Sequence, residues 1–385
     1  MYVLNPQIMK NIKLKAYLFL LTIALSACSK GQNEIGKPSP SLTAEVSFSA
    51  SDANKAFDDF TRIFYNTDQK LFYSKSDRKE VAVGWPQAVF WDITMDAYKR
   101  TNNPVYLKQI NDMYQGAANA YSNFDWKAVK EVNDFIYDDM MWWIISLSRS
   151  YEITKEQKYL DAAVAGFKYV WENSHDPVDG GMRWSWKVEG KNACINYPTV
   201  IAGVTLYNIT KDTGYLDKAK NIYRWSHDNL FEASTGRVAD HKVGQNPAGY
   251  EDYTYNQGTC IGAATLLYKA TGEDAYLADA KLAADYTKNK MCDSKGILPA
   301  EGDWNEQGVL KAIFAQYIQL LIKDAGQNQY KEWIYSNINL AWSNRDQGRG
   351  IMFRDYKVAC PAGLVQSYEA SSGVAFMQLF DPIVK

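Results

Sequence analysis

The chain has 385 residues, which is long enough for a large core in one or two domains. Its formal net charge of −2 excludes the basic surface that binding to nucleic acid or to anionic lipid requires. Aromatic residues make up 14% of the chain, and aromatic rings stack on the apolar faces of sugars as well as filling cores. This composition therefore fits a neutral carbohydrate ligand better than a phosphorylated one.

Residues 1–28 have the pattern of a targeting segment. Lys10, Lys13 and Lys15 precede the apolar run 16–25, and small residues lead to Cys28. A basic start and a short apolar run predict a secretory signal, which is too short to span a membrane as a mature helix. The string Leu-Ser-Ala-Cys at 25–28 resembles the lipobox of bacterial lipoproteins and implies lipidation of Cys28. An ordinary cleaved signal, with Cys28 incidental, is the alternative.

A polar stretch follows at residues 29–48 and is predicted to be a tether. It contains two prolines and has no helical or strand period. The remaining residues, 49–385, are then expected to form the folded domain. With its lipid anchor the protein is expected at the outer membrane, either on the cell surface or facing the periplasm.

An internal repeat sets the predicted architecture. The strings TNNPVYL, TKEQKYL, TKDTGYL and TGEDAYL place Tyr-Leu at 106, 159, 215 and 276, and Tyr330 marks a weaker fifth copy. The copies lie about 50 to 60 residues apart, which is the length of one helical hairpin with its loops. Amphipathic outer helices therefore alternate with more apolar inner helices. The inner helices are predicted at 86–100, 139–154, 197–211, 256–271, 306–325 and 366–380, and the first outer helix at 51–73.

Six outer and six inner helices predict an all-α fold, a closed (α/α)6 toroid. Inner helices such as the one containing GTCIGAATLLYKA are small and apolar on nearly all sides, as a buried ring requires. An open α-solenoid, in which helix pairs stack without closing, is the competing architecture.

Asp138 and Asp139 directly precede Met140, Met141 and two tryptophans at the start of the second inner helix. Two carboxyl groups at the end of such an apolar helix are costly unless chemistry or hydrogen bonding compensates. Glycoside cleavage uses such a pair, one carboxylate to attack or to activate water and one carboxylic acid to protonate the leaving oxygen. The alternative is ordinary capping, since Asp is favoured at the start of a helix.

The other inner helices begin with amides, acids or aromatic residues before the sequence becomes apolar. Because alternating helices place every inner N-terminus on one face of the ring, these residues are expected to converge there. The glycine turn of GGMRWSWK adds an arginine and a tryptophan on the same side. Capping explains part of the pattern, but not the tryptophans and doubled amides. The predicted sugar-binding residues are Trp85, Gln87, Trp142, Arg183, Trp184, Asn192, Asn196, Tyr255, Asn256, Gln257, Asp303, Asn305 and Gln307.

Neither the cysteines nor the histidines have the spacing of a metal site. Beyond Cys28 the four cysteines are far apart, and buried free thiols are the expected state. None of the three histidines precedes an inner helix, whereas sugar epimerases of this shape depend on histidines in the pocket. No metal and no cofactor is therefore expected.

The motifs FIYDDMMWW, GGMRWSWK, YNQG and EGDWNEQGVLKAIF resemble those of glycoside hydrolase family 76, in the order of that family and over residues 50–380. The resemblance implies an (α/α)6 domain and retaining endo-hydrolysis of α-1,6-mannan backbones. It also implies that Asp138 is the nucleophile and Asp139 the general acid/base. The lipobox and tether are similar to those of mannan-utilising lipoproteins of gut Bacteroidetes.

Two other functions remain open from the sequence. One is a toroid hydrolase acting on a different glycan, and the other is a lipoprotein that binds mannan without cutting it. A pure binder has no use for a second carboxyl group beside the first, which favours the enzyme. The expected partner is an α-mannan polysaccharide, and a monomer is expected.

Overall fold

The computed structural model describes residues 47–382, all within one compact unit. The predicted signal, the lipidation site Cys28 and nearly all of the tether lie outside the described residues. The last tether residue, Phe48, is buried, and its ring centroid lies 6.4 Å from that of Tyr335. No helix in the described part of the chain is both long and apolar enough to span a membrane.

Long outer and inner helices alternate along the described chain. The outer helices are α1 (Ala50–Phe64), α3 (Pro104–Ala120), α6 (Gln157–Ser174), α8 (Thr213–Leu230), α10 (Asp274–Tyr286) and α12 (Lys331–Ser343). The inner helices are α2 (Gly84–Thr101), α5 (Tyr137–Thr154), α7 (Ala193–Thr210), α9 (Thr254–Thr271), α11 (Leu310–Gln319) and α13 (Ser367–Leu379). A short helix, α4 (Trp126–Glu131), precedes α5.

Short segments extend or connect these helices. Single turns of 3₁₀ helix occur at Ser122–Phe124, Glu306–Val309 and Asn328–Tyr330, and π-helical turns at Thr287–Met291 and Leu320–Asp324. Three pairs of two-residue strands form: the hairpins β1 (Tyr65–Asn66) with β2 (Leu71–Phe72) and β4 (Phe231–Glu232) with β5 (Arg237–Val238), and a pairing of β3 (Lys191–Asn192) with the distant β6 (His241–Lys242). All three pairs are antiparallel.

The inner helices form a closed ring. Each packs against the next in the order α2, α5, α7, α9, α11 and α13, and α13 packs back against α2. The structure therefore confirms the predicted (α/α)6 toroid and excludes an open solenoid. Small residues allow the close packing: a Cβ at Gly258 of α9 would lie only 2.8 Å from the Cα of Phe314 on α11.

The sequence repeat corresponds to one recurring turn at the end of an inner helix. Thr101, Thr154, Thr210 and Thr271 each end an inner helix, and each is followed by a residue in the left-handed conformation. Each hydroxyl donates to the carbonyl four residues earlier and accepts the N–H two residues later. These bonds satisfy backbone groups that a helix end leaves unpaired and start the next outer helix in a fixed direction.

The first outer helix is shorter than predicted. It ends at Phe64 rather than near residue 73, because the chain turns into the β1–β2 hairpin. The Asn66 side chain accepts the N–H groups of Asp68 and Gln69, and this local turn competes with helix continuation. The apolar residue Leu71 therefore belongs to a strand, although its spacing fits the helical period.

Candidate active site

A cleft of about 670 Å³ lies on the face where the N-termini of the inner helices converge. Its walls come from the starts of α2, α5, α7 and α9, from the paired strands β3 and β6, and from the loop before α11. The lining residues are Val83, Trp85, Ile136, Asp138, Asp139, Trp142, Trp184, Asn192, Cys194, Asp240, His241, Glu251, Tyr253, Tyr255, Glu306, Gln307 and Leu310.

Asp138 lies in the first turn of α5 and faces the cleft. Its Oδ2 atom accepts a hydrogen bond of 3.0 Å from the indole Nε1–H of Trp184. Its Oδ1 atom is buried and has no hydrogen bond of good geometry to any described residue. Burial raises the pKa of Asp138 to about 7, although the nearby Cys194 thiol and the Trp184 indole favour the ionised form.

Asp139 serves as a helix cap and also lines the cleft. Its Oδ2 atom accepts the backbone N–H of Ile136 over 3.0 Å, which closes the first turn of α5. Burial, followed by repulsion from Asp138, raises the pKa of Asp139 to about 8 despite that bond. The Asp139 side chain can thus both cap the helix and act as an acid, the two roles that the sequence left as alternatives.

Burial dominates the pKa values of both acids. A helix N-terminus favours the ionised form of a carboxyl group, but burial at the start of α5 outweighs this effect and raises the pKa of both acids. Because repulsion from Asp138 adds to the raised pKa of Asp139, the two groups do not lose their protons together. One carboxylate and one carboxylic acid can then be present at once, as a nucleophile and an acid require.

Three further carboxyl groups line the cleft and were missed from the sequence: Asp240, Glu251 and Glu306. Asp240 raises the pKa of Asp138, and Glu306 raises that of Asp139. No Lys or Arg is among the described residues that line the cleft. A cleft with five acids and neither Lys nor Arg disfavours an anionic ligand and suits a neutral one.

Asp240 is held in position from two sides. The Nδ2 group of the buried Asn256 donates to its Oδ1 over 2.9 Å, and the Nδ1 atom of His241 lies 3.1 Å from its Oδ2. His241 pairs with Asn192 where strand β6 meets strand β3, and both residues line the cleft. The sequence showed only that no histidine precedes an inner helix, and His241 reaches the cleft from another position. Asp240 and His241 lie between α8 and α9 rather than at a helix start, so the repeat gives no signal for them.

Six of the predicted sugar-binding residues line the cleft: Trp85, Trp142, Trp184, Asn192, Tyr255 and Gln307. The Trp85 and Trp142 rings lie 6.2 Å apart, and those of Tyr253 and Tyr255 lie 6.0 Å apart. The Gln307 amide reaches the Tyr253 hydroxyl over 3.4 Å. Aromatic and amide groups therefore lie on several sides of the acid pair.

Three predicted amides do not line the cleft, and this corrects the prediction for Gln87, Asn196 and Gln257. Each is at most 2% exposed. Gln87 accepts from the N–H of Phe72 and donates to its carbonyl, and Asn196 does the same to Met182. Gln257 accepts from Val238 N–H and donates to two carbonyls. These side-chain amides therefore pair with buried backbone N–H and carbonyl groups of neighbouring segments, which would otherwise lack hydrogen-bond partners.

Four other predicted residues also lie outside the cleft lining. Asn256 is fully buried and contacts Asp240 from behind, as described above. The Arg183 guanidinium pairs with Asp176 at 2.9 Å in a separate pocket of about 240 Å³. Asp303 is mostly exposed and pairs with Arg354. The Asn305 side chain caps the 3₁₀ turn by accepting from the Gln307 N–H.

In the described part of the chain, no group of three or more His, Cys, Asp or Glu residues could hold a metal ion. Cys194, Cys260, Cys292 and Cys360 are all unpaired there, and three of them are buried. Burial raises the pKa of the Cys194 thiol beside Asp138, so this group stays protonated.

Two adjacent carboxyl groups with raised pKa values in an aromatic-lined cleft are typical of a glycoside hydrolase. The family model described as glycosyl hydrolase family 76 matches residues 49–380, and the chain belongs to this family. The family predicted from the motifs is thereby confirmed.

Solved structures of high overall similarity include the α-1,6-mannanase of Salegentibacter sp. HEL1_6. It is 27% identical, with a TM-score of 0.77 over 86% of this chain and 98% of that one. Two inactive variants of that enzyme have two consecutive aspartates replaced, by alanine in complex with α-1,6-mannotetrose and by asparagine in complex with α-1,6-mannotriose. A family 76 glycoside hydrolase from Bacteroides thetaiotaomicron, 20% identical with a TM-score of 0.74 over 86% of this chain and 96% of that one, shows the same fold.

A curated relative has a different activity. The cellobiose 2-epimerase of Eubacterium cellulosolvens is 29% identical over 116 residues, which cover 28% of this chain and 29% of the epimerase. This chain therefore matches less than a third of the length of that relative.

Proposed function

We propose that the protein hydrolyses α-1,6-mannosidic linkages within mannan backbones, with retention of configuration. The observation that carries the proposal is the consecutive pair Asp138 and Asp139, side by side in an acidic, aromatic-lined cleft. Support comes from the Salegentibacter α-1,6-mannanase, in which replacement of two consecutive aspartates gives inactive variants that hold α-1,6-linked mannooligosaccharides.

In this mechanism Asp138 attacks the anomeric carbon and Asp139 protonates the oxygen of the departing sugar. The bond between the anomeric carbon and that oxygen breaks as a glycosyl ester forms on Asp138. The Trp184 indole, bonded to Asp138 Oδ2, stabilises the carboxylate and directs its lone pairs. Oδ1, which has no hydrogen bond of good geometry to a described residue, is then the oxygen that attacks.

The second step uses the same two groups in reversed roles. Once Asp138 is esterified its charge is gone, and the repulsion that helped to raise the pKa of Asp139 disappears. Asp139 then accepts a proton from water, whose oxygen attacks the anomeric carbon as the bond from that carbon to Asp138 breaks. The Ile136 N–H stabilises the carboxylate form of Asp139 in this step.

The remaining lining residues suit a neutral polymer. Trp85, Trp142 and Tyr255 offer ring surfaces for sugar faces, and Asn192 and Gln307 offer amides for hydroxyl groups. The five carboxyl groups accept hydrogen bonds from sugar hydroxyls without needing a charged substrate. A cleft formed at the junction of several inner helices, open along one face, fits cleavage within a chain.

The test is incubation with linear α-1,6-mannan, with released oligosaccharides separated by size and the anomeric configuration of the first product followed by NMR. A ladder of oligosaccharides of retained configuration supports the proposal. Release of monosaccharide alone contradicts internal cleavage, and an inverted product contradicts the ester on Asp138. Binding without products supports the mannan-binding alternative.

A second function, on another sugar, is favoured by one observation. His241 and Asp240 lie 3.1 Å apart in the cleft, and the epimerase relative acts on cellobiose by its name. Incubation with cellobiose and with other neutral disaccharides, followed by analysis for epimerised or cleaved products, distinguishes this possibility. Activity there, without activity on α-1,6-mannan, would overturn the preferred function.

We also propose that the protein acts at the outer membrane as an exported lipoprotein anchored through Cys28. The lipobox-like string at 25–28 and the polar stretch after it support this. Metabolic labelling with a radioactive fatty acid should mark the parent protein and not Cys28→Ala. Protease treatment of intact cells then tells surface exposure from a periplasmic orientation. Labelling of Cys28→Ala, or none in the parent, would contradict the anchor.

A further inference from the structure

A second groove opens beside the cleft on the same face of the ring. Its volume is about 680 Å³, and it lies between the β1–β2 hairpin, the end of α3, the segment before α2 and the loop before α5. Val83 lines both the groove and the cleft and is half exposed. We call this cavity the outer groove, defined by Val81, Val83, Asn119, Ala120, Tyr121 and Phe135.

The outer groove extends from the cleft toward the outer wall. Outer helices run antiparallel to inner helices, so the C-terminal end of α3 lies on the same face as the N-termini of α2 and α5. Val83 is the residue that the two linings share. A group attached to a sugar in the cleft can therefore enter the outer groove past Val83. The mannan backbone itself can continue along the cleft without entering the groove.

The chemistry of the lining fits a neutral sugar. Tyr121 is held rigidly, with its ring 4.9 Å from Phe135 and 5.5 Å from Trp143. Neither the Tyr121 hydroxyl nor the Asn119 amide has a hydrogen bond to another described residue, and both residues line the groove. No Lys or Arg is among the described residues of this lining. An aromatic ring, apolar side chains and unpaired polar groups together are typical of a carbohydrate site.

We propose that the outer groove binds a neutral mannosyl side branch carried by the backbone sugar next to Val83. This inference rests on the proposed function, since it assumes a mannan backbone in the cleft. It makes the protein an enzyme that accepts branched mannan, rather than one that needs the branches removed first.

The test compares linear and branched α-1,6-mannan as substrates for a variant with a blocked groove. Ala120 lies at the exposed end of α3, and Ala120→Trp places an indole in the groove without touching the cleft. Val105→Trp is the matched control, because Val105 is 65% exposed at the other end of the same helix. Thermal unfolding of both variants verifies that they fold.

Ala120→Trp should lower kcat/KM on branched mannan about tenfold or more and leave the value on linear mannan within about twofold, because the bulk clashes only with the branch. Val105→Trp should change neither value. Equal loss on both substrates, no loss on either, or a parent that cuts only linear mannan would overturn the proposal.

A second variant removes the polar groups instead of adding bulk. Asn119→Ala combined with Tyr121→Phe keeps the ring packing but deletes the unpaired amide and hydroxyl. It should raise KM for branched mannan about threefold to tenfold with kcat unchanged, since each lost hydrogen bond weakens binding modestly. An unchanged KM would count against the groove. A parent protein that fails to cut linear mannan refutes the proposed function itself, and that result precedes any comparison of variants.

Discussion

The indole Nε1–H of Trp184 donates to Asp138 Oδ2 over 3.0 Å, and so ties the loop before α7 to the first turn of α5. Both residues line the cleft. A neutral donor to a carboxylate stabilises the charged form, so this contact opposes the burial that raises the pKa of Asp138. The loop thereby adjusts the chemistry of a helix to which it is not adjacent in sequence.

Removing this donor should move the pH profile. Trp184→Phe keeps an aromatic ring but loses the N–H, so the pKa of Asp138 should rise by about one unit, the size expected for one hydrogen bond to a charged group. The acidic limb of kcat/KM against pH should shift to higher pH by that amount. Trp186→Phe is the matched control, because Trp186 packs edge-on against Tyr137 at 5.8 Å. An unmoved acidic limb in Trp184→Phe would show that the contact does not act on the nucleophile.

Replacement of either acid of the pair should abolish turnover and preserve the fold. Asp139→Asn should lose about 10²–10⁴-fold in kcat, the usual contribution of a general acid, and Asp138→Asn at least as much. Asparagine retains an oxygen that can accept from Ile136 N–H or from the Trp184 indole, so the local structure survives. Asp161→Asn on the outer wall is the control. Substantial activity of either pair variant on linear α-1,6-mannan would remove that residue from the mechanism.

The activity should have a bell-shaped dependence on pH. The pKa of Asp138 is raised to about 7, so kcat/KM should rise as pH increases through that value and the nucleophile ionises. The pKa of Asp139 is raised to about 8, so activity should fall as pH increases further and the acid loses its proton. The two limbs describe the coupled pair. A profile that is flat through neutral pH would contradict these assignments.

The same pair should make the fold less stable as pH rises. Each carboxyl group has a folded-state pKa above its ordinary value of 3.8, so between about pH 4 and pH 8 the folded state binds protons that the unfolded chain has released. Raising the pH through that window therefore lowers the free energy of unfolding. Thermal unfolding at a series of pH values measures this slope. It should be shallower in Asp138→Asn and Asp139→Asn, and the variants should be more stable than the parent near neutral pH.

A buried ion network beneath the cleft should be essential for stability. Arg149 on α5 lies 3.0 Å from Asp92 and 2.5 Å from Asp96, both on α2. Arg149→Met should cost about 3–5 kcal/mol, because it leaves two carboxyl groups buried without their cation. The loss, measured by chemical denaturation, should shrink at low pH, where burial already favours protonation of Asp92 and Asp96. Arg224→Met on the exposed face of α8 is the control, and an equal effect there would contradict the argument.

The sequence determined the helix pattern because the signals for it are local. The threonine of each repeat closes an inner helix through its own hydroxyl, and the tyrosine five residues later marks the next outer helix. Such bonds reach only two to four residues along the chain, so a repeated string specifies a repeated turn. The first outer helix was predicted too long because the turn at Asn66, which ends it, has no counterpart in the repeat.

The acid pair was also visible in the sequence, since two carboxyl groups before two tryptophans are unusual at any helix start. The tertiary structure alone decided what surrounds it. Three amides have the position of site residues in the repeat: Gln87, Asn196 and Gln257. Each turns inward, because backbone groups buried against the ring need hydrogen-bond partners. Asp240 and His241 have no marked position in the repeat, yet the pairing of β6 with the distant strand β3 brings them to the cleft. Side-chain direction depends on contacts between distant segments, and no local pattern encodes those.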